Sequence, residues 1–222
     1  MDITSESRVG EIAAQHPLAT RVFARHQIDF CCGGGTPLRD VCDRRGLSTD
    51  EILEEIRETL AESPPNAERW NEAPTAELVR HIIRDYHEPL REELPRLEAM
   101  TRKVARVHGA RAPERFEDLL QTFLNLKNEL EDHMEREESE IFPRIVSSGE
   151  SASIATDAFI EDHEEAGRAL LHLRELTDEF RVPEGACNTW RALWHGLEAL
   201  EGALHRHIHL ENNVLFPKVA SS

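Results

Sequence analysis

The chain has 222 residues, 39% of them hydrophobic and 31% charged, enough to bury a sizeable core in one domain or in a small domain beside a larger one. Its 26 Lys and Arg against 43 Asp and Glu leave a formal net charge of −17, which repels nucleic-acid phosphates and anionic lipid and makes cations the expected small partners. No stretch reaches the roughly 18 to 20 uninterrupted apolar residues of a membrane span. The start "MDITSESRVG" lacks the features of a secretory signal, and Cys31, Cys32, Cys42 and Cys187 form no CxxC pair, so a reducing, cytoplasmic setting is expected.

Residues 1–62 carry the short helical patterns "RVGEIAAQHP", "LATRVFARHQ", "LRDVCDRRG" and "STDEILEEIRETLAE", the last with Ser48 or Thr49 as cap and Ile52, Ile56 and Leu60 every four residues. They predict a small helical domain. Within it, "DFCCGGG" sets vicinal Cys31 and Cys32 against three glycines, which predicts a sharply turning backbone with both thiols accessible. The stretch 63–74 interrupts all periodicity with prolines and reads as a linker.

From residue 75 to 222 four long amphipathic segments follow, broken at "HGARAP", "SSGES" and "RVPEG". Short connections favour antiparallel neighbours, so the fold class is all-α, an up-down-up-down four-helix bundle behind the small N-terminal domain. Pro89 and Pro95 are expected to kink the first segment and widen the bundle near His87. "HMEREESEIFPRI" matches "HIHLENNVLFPKV" with His, Glu, Phe and Pro in register, and "DYHE" pairs with "EDHE", so the bundle reads as a doubled helical hairpin.

An isolated HxxxE on a helix is ordinarily a solvated surface pair. Here the apolar stripe decides the face. In the second segment it runs Phe116, Leu119, Phe123, Leu126, Leu130, then His133 and Glu137; in the fourth it runs from Trp190 to Leu204, then His207 and Glu211. His87 and His163 take stripe positions on the first and third segments. Counted from the segment ends at about 1.5 Å per residue, the four histidines fall within roughly 3 Å of one depth.

Buried carboxylates without counter-charge are costly, so four imidazoles and two carboxylates at one level predict metal in preference to a purely structural polar network. The donor set lacks thiolate and exceeds one tetrahedral ion, which predicts two octahedral first-row ions, iron with manganese as the alternative. Two bridging glutamates give each ion four protein donors and leave room for an oxo or hydroxo bridge. Glu129, one turn before His133, reads as a solvated acidic face or as an aid to cation passage. His81, near the right depth, and the remaining histidines are assigned surface or packing roles, as Tyr86 and the tryptophans are assigned packing.

These motifs, "DFCCGGG", "YHEPLREELP", "HMEREESEIFP", "EDHEEAG", "ACNTW" and "HIHLENNVLFP" in that order, resemble the Repair of Iron Centres family over nearly the whole chain. The resemblance implies a hemerythrin-like fold and iron ligands His87, His133, Glu137, His163, His207 and Glu211, the same six that stripe and depth select. It also implies a functional Cys31–Cys32 pair for iron or thiol transfer. The expected function is repair of iron-sulfur clusters damaged by nitric oxide or oxidative stress, with damaged iron-sulfur proteins as partners. A di-iron nitric oxide reductase and a hemerythrin-like gas sensor or oxygen binder are the rivals. Hemerythrin-type carriers use five histidines and two carboxylates, whereas this chain has two HxxxE units. Nucleic acid and membrane are not expected partners; a homodimer is compatible with the sequence.

Overall fold

In the computed structural model, which describes residues 3–61, 70–148 and 155–220, the chain is all-α; the strand-like pairing among them is one isolated bridge, Arg8 to Pro37. Four short helices come first: α1 (Val9–Gln15), α2 (Ala19–Arg25), α3 (Leu38–Arg45) and α4 (Thr49–Ala61). Helices this short are marginal alone in water, so apolar faces hold them: Val9, Ile12, Phe23, Leu38, Ile52 and Ile56 join one buried cluster. Gly46 ends α3 in the left-handed conformation at φ 66. Before α4 the expected capping hydroxyl is that of Ser48, which accepts the Glu51 N–H at 3.4 Å.

The expected linker lies mostly outside the described residues; its end, residues 70–73, forms turns before α5 (Thr75–Ile82). The long helices are α6 (Glu88–His108), α7 (Pro113–Arg136), α9 (Asp157–Leu176) and α10 (Asn188–Leu210), with the short α8 (Phe142–Ser148) and α11 (Phe216–Ala220) continuing beyond the second and fourth. Two compact units result. One takes residues 80–144 and 155–204; the other joins the N-terminal helices to the end of α8 and to residues 205–220.

In the first of these units α7 packs on both α6 and α9. The ring closes through α10, where Gly196 lets Leu97 approach so closely that a Cβ would stand 2.5 Å from its Cδ2, and where Glu201 accepts from Arg174 Nε of α9 at 2.9 Å. Contacts between helix ends fix the alternation. His108, last of α6, packs with its ring 4.6 Å from that of Trp190 near the start of α10, and Arg115 near the start of α7 donates to Leu176 O at the end of α9. At the other end, His87 meets Glu138 and His133 meets Asp162. The predicted stripe residues Phe116, Leu119, Phe123, Leu126 and Leu130 of α7 and Trp190 and Leu204 of α10 are buried.

After α9 the chain turns through Asp178, Glu179 and Phe180 at φ 53, 59 and 56. Left-handed backbone costs an L-residue about 1–2 kcal/mol. It is offset by burial of Phe180 and by Arg174, whose guanidinium lies 4.8 Å from the Phe180 ring while donating to Glu179 and Glu201. No helix among the described residues is long and apolar enough to cross a membrane.

Candidate metal centre

The helices that carry the predicted ligands are irregular where the ligands sit. His87 ends a π-turn, Ile83–His87; Glu137 and Glu211 begin two more, Glu137–Ile141 and Glu211–Leu215. In each, the next N–H reaches back five residues: Glu88 to Ile83, Phe142 to Glu137, Phe216 to Glu211. Proline follows every time, as Pro89, Pro143 and Pro217. A proline offers no N–H to the carbonyl four residues back and its ring presses on it, so an extra residue in the turn relieves the clash while the chain stays helical. The kink expected at Pro89 is therefore a π-turn, whereas Pro95 lies inside regular α6. The helix α9, which bears His163 and has no proline, is regular α throughout.

His87, His133, Glu137, His163, His207 and Glu211 are all buried, both glutamates at 0% exposure. Two sets of these side chains have ligand atoms within 4.8 Å of one another: His87, Glu137, His207 and Glu211, and His133, Glu137, His163 and Glu211. Each set has two imidazoles, and both glutamates belong to both. Glu137 Oε2 lies 3.4 Å from His87 Nε2 and its Oε1 3.3 Å from His133 Nε2. His163 Nε2 is 2.9 Å from His133 Nε2, and His207 Nε2 is 2.9 Å from Glu211 Oε1. Adjacent donors bound to one ion at about 2.0–2.2 Å stand about 3 Å apart. Separation, burial and charge all fit a metal-binding site.

The outer nitrogens of two histidines are held alike. His87 Nδ1 is 2.8 Å from Glu138 Oε1, which also accepts Arg91 Nη2 at 2.7 Å; His133 Nδ1 is 3.0 Å from Asp162 Oδ2, which also accepts from Arg136. A carboxylate only accepts, so Nδ1 carries the proton and the Nε2 lone pair points inward, ready for a cation. Burial alone would raise both carboxyls, but the hydrogen bonds from the histidine and the arginine prevail and hold Glu138 and Asp162 below their ordinary values. Phe142, stacked 5.7 Å from His87, and Phe159, edge-on 5.7 Å from His133, restrain the rings.

Beside His133 and His163 lies a cavity of about 180 Å³ lined by Glu129, Asp132, Asp162 and Glu165. Burial first, then repulsion from Glu165 and Asp162, raises the Glu129 carboxyl above its ordinary value. Glu129 thus belongs to an acidic vestibule. His81 stands outside the ligand sets and pairs with Asp85 at 2.5 Å. His26 meets Glu55, His172 meets Asp118, and His108 meets Cys187.

The predicted thiol pair needs a correction. Cys32 is half-exposed, but Cys31 is buried at 4%, so the two thiols are not equally accessible. Asp29 draws the loop inward: its carboxylate accepts the N–H groups of Cys31, Cys32 and Gly33 at 3.0, 3.0 and 2.9 Å. The loop turns as expected through residues 32–35, with the Thr36 N–H on Gly33 O at 3.0 Å, but without positive φ at Gly33, Gly34 or Gly35; Gly34 lets the backbone pass close to Asn213. The sulfur atoms are 3.8 Å apart, and Cys31 Sγ also donates to Asp29 Oδ1 at 3.2 Å. The hydrogen bond with Cys32, burial and the nearby charges of Cys32 and Asp29 together push the Cys31 thiol well above its ordinary range.

A helical bundle whose facing histidines and glutamates fit a cation defines the class, and residues 78–219 match the Hemerythrin HHE cation binding domain. Residues 5–60 match a second family, described as Domain of Unknown function (DUF542). The chain is 41% identical over 214 residues to the iron-sulfur cluster repair protein YtfE of Pectobacterium atrosepticum, covering 96% of each. It is 39% identical over 219 residues to the protein of that name from Yersinia pseudotuberculosis, covering 98% of each. The chain belongs to this family of hemerythrin-type iron-sulfur cluster repair proteins.

Proposed function

We propose that the protein repairs damaged iron-sulfur clusters by holding two iron ions, one set of His87, His207 and one of His133, His163, with Glu137 and Glu211 shared between them. The observation that carries this is the pair of overlapping ligand sets with both glutamates in common. When bound, the ions with their oxo or hydroxo bridge supply an exchangeable source of iron. The chain's own groups do the rest. Glu138 and Asp162 hold Nδ1 of His87 and His133 and so aim Nε2 of each inward as the donor, and the acidic vestibule around Glu129 concentrates cations on their way to or from His133 and His163.

Iron is here the cargo as well as the resident ion, and the Cys31–Cys32 pair is proposed as its relay or as a thiol donor to the acceptor. Two soft donors 3.8 Å apart can share one ferrous ion, and binding must displace the proton that Cys31 retains. Damaged iron-sulfur proteins of the cytoplasm are the proposed partners, with nitric oxide or oxidative stress as the source of damage. The name carried by the relatives favours repair over nitric oxide reduction or oxygen carriage.

The test is restoration of a nitric-oxide-damaged cluster in vitro by iron-loaded protein, followed by its visible absorbance, with Mössbauer spectroscopy of the donor before and after. Wild type is expected to restore the cluster and lose iron stoichiometrically. His133→Ala and Cys31→Ser/Cys32→Ser are expected to fail, the first for want of iron and the second with iron retained. Restoration by His133→Ala at the wild-type rate would overturn the reading.

A further inference from the structure

The loop that carries the thiols is fastened to the same helical turn that carries Glu211. Asn213 is the third residue of the π-turn Glu211–Leu215, and its Nδ2 donates to Phe30 O at 3.3 Å and to Cys31 O at 3.2 Å. Its amide oxygen occupies space that only glycine leaves open. A Cβ on Gly10 would stand 2.3 Å from Asn213 Oδ1, and one on Gly34 would stand 2.6 Å from it. The two glycines are themselves joined by a Gly10 N–H to Gly34 O bond of 2.8 Å. Phe30 adds a second contact, its ring 5.5 Å from His209 in the turn before.

The internal repeat shows that the π-turn itself does not demand this residue. The position matching Asn213 in the turn Glu137–Ile141 is Ser139, which is exposed, whereas Asn213 is half-buried against the loop. The two copies thus differ at the side chain that touches the cysteines. Asp29 secures the N–H side of the loop, and Asn213 secures its carbonyl side.

We propose that Asn213 is a positioning residue that ties the Cys31–Cys32 loop to the Glu211 turn, so that filling the metal site and ordering the thiol pair are one linked event. The inference rests on the reading of Glu211 as a metal ligand. Glu211 and Asn213 are two residues apart in one hydrogen-bonded turn, so fixing the carboxylate on a cation restrains the amide, and the amide restrains the carbonyls of Phe30 and Cys31. Loss of the cation loosens the same chain of contacts and frees the thiols for an acceptor.

The test is hydrogen exchange with mass-spectrometric readout of the peptide spanning residues 29–35 in the full chain. It is run metal-free and with ferrous iron alone under exclusion of oxygen, on wild type, Asn213→Ala and Gly34→Ala. In wild type, loading is expected to slow exchange of this peptide by about tenfold. In both variants that ratio is expected to fall within about twofold of unity, with iron uptake at the wild-type stoichiometry because neither change removes a donor. A purely structural role would speed exchange equally with and without metal and keep the ratio; that result, or a wild-type loop indifferent to iron, overturns the proposal. Iron uptake, measured separately, reports on the metal reading itself. Gly34→Ala attacks the clamp from the loop side and serves should Asn213→Ala fail to fold.

Discussion

Asp162→Asn isolates the contribution of the group behind one histidine. Asn keeps the shape of Asp162 and can still accept the Nδ1–H of His133 now 3.0 Å away, but the negative charge that raises the basicity of the ring and pairs with Arg136 is lost. Partners of this kind are worth roughly 10- to 100-fold in metal affinity, so about tenfold, or about 1.4 kcal/mol, is expected for Asn and nearer a hundredfold for Ala. Because Asp162 backs His133 and Glu138 backs His87, and these histidines belong to different ligand sets, the effects should separate. In an anaerobic titration of ferrous iron against a chromophoric chelator, Asp162→Asn should weaken one of two binding steps and leave the other within about twofold. Glu138→Gln should do the converse, and the double variant should weaken both. Asp162→Asn within about threefold of wild type at both steps, or each variant weakening both steps equally, would refute the reasoning.

Arg174→Met leaves Glu201, 6% exposed, without its guanidinium and releases the turn at Asp178–Phe180. Stranding a buried charge costs about 3–5 kcal/mol, and at about 2–4 °C per kcal/mol for a chain of this size the melting temperature should fall by at least about 6 °C. Adding Glu201→Gln should recover most of the loss in the same thermal melts; a drop of less than about 2 °C for the single change would count against the buried pair. Asp178→Gly relieves one left-handed residue at φ 53 and should raise stability by about 0.5–1 kcal/mol, read by chemical denaturation. Alkylation resolved by peptide mapping should find Cys187, which is exposed, labelled well before Cys31 at neutral pH. Since the raised Cys31 thiol stays protonated there, its rate should climb roughly tenfold per pH unit into the alkaline range, and equal labelling of both at pH 7 would contradict its assigned environment.

The four N-terminal helices and the bundle were legible because apolar periodicity reports directly on which face is buried: Phe116 to Leu130 and Trp190 to Leu204 all lie inside. The same stripes placed His133, Glu137, His207 and Glu211 inward, and depth counting brought His87 and His163 to them. What periodicity cannot register is a local change of helical pitch. The π-turns were missed although Pro89, Pro143 and Pro217 mark them, because a proline in a helix is equally compatible with a kink. Glu138 and Asp162 were missed because each neighbours a ligand in sequence and reads as surface charge; only the packing of α6 on α7, and of α7 on α9, brings them to the back of a histidine on another helix. The burial of Cys31 depends on Asp29 and on Asn213, the latter far along the chain, so no local pattern in "DFCCGGG" could announce it.

The widened turn at Glu137–Ile141 also fixes where in-frame codon loss can be tolerated. Five residues of the wider turn cover about the angle that four cover in an α-helix, so losing one there restores ordinary pitch with everything beyond still in phase, whereas losing one from a regular stretch rotates everything beyond by about 100° about the axis. A residue lost from regular α7 would swing Phe142 and Ile145, now at 2% and 0% exposure, away from the interior, and the ring stacked on His87 would go with them. Trimming at the 109–111 or 181–185 connections disturbs no such phase. Length variation compatible with the bundle is therefore confined to the joints between helices and to the widened turns, and elsewhere the residue count within each ligand-bearing rod is as constrained as the ligands themselves.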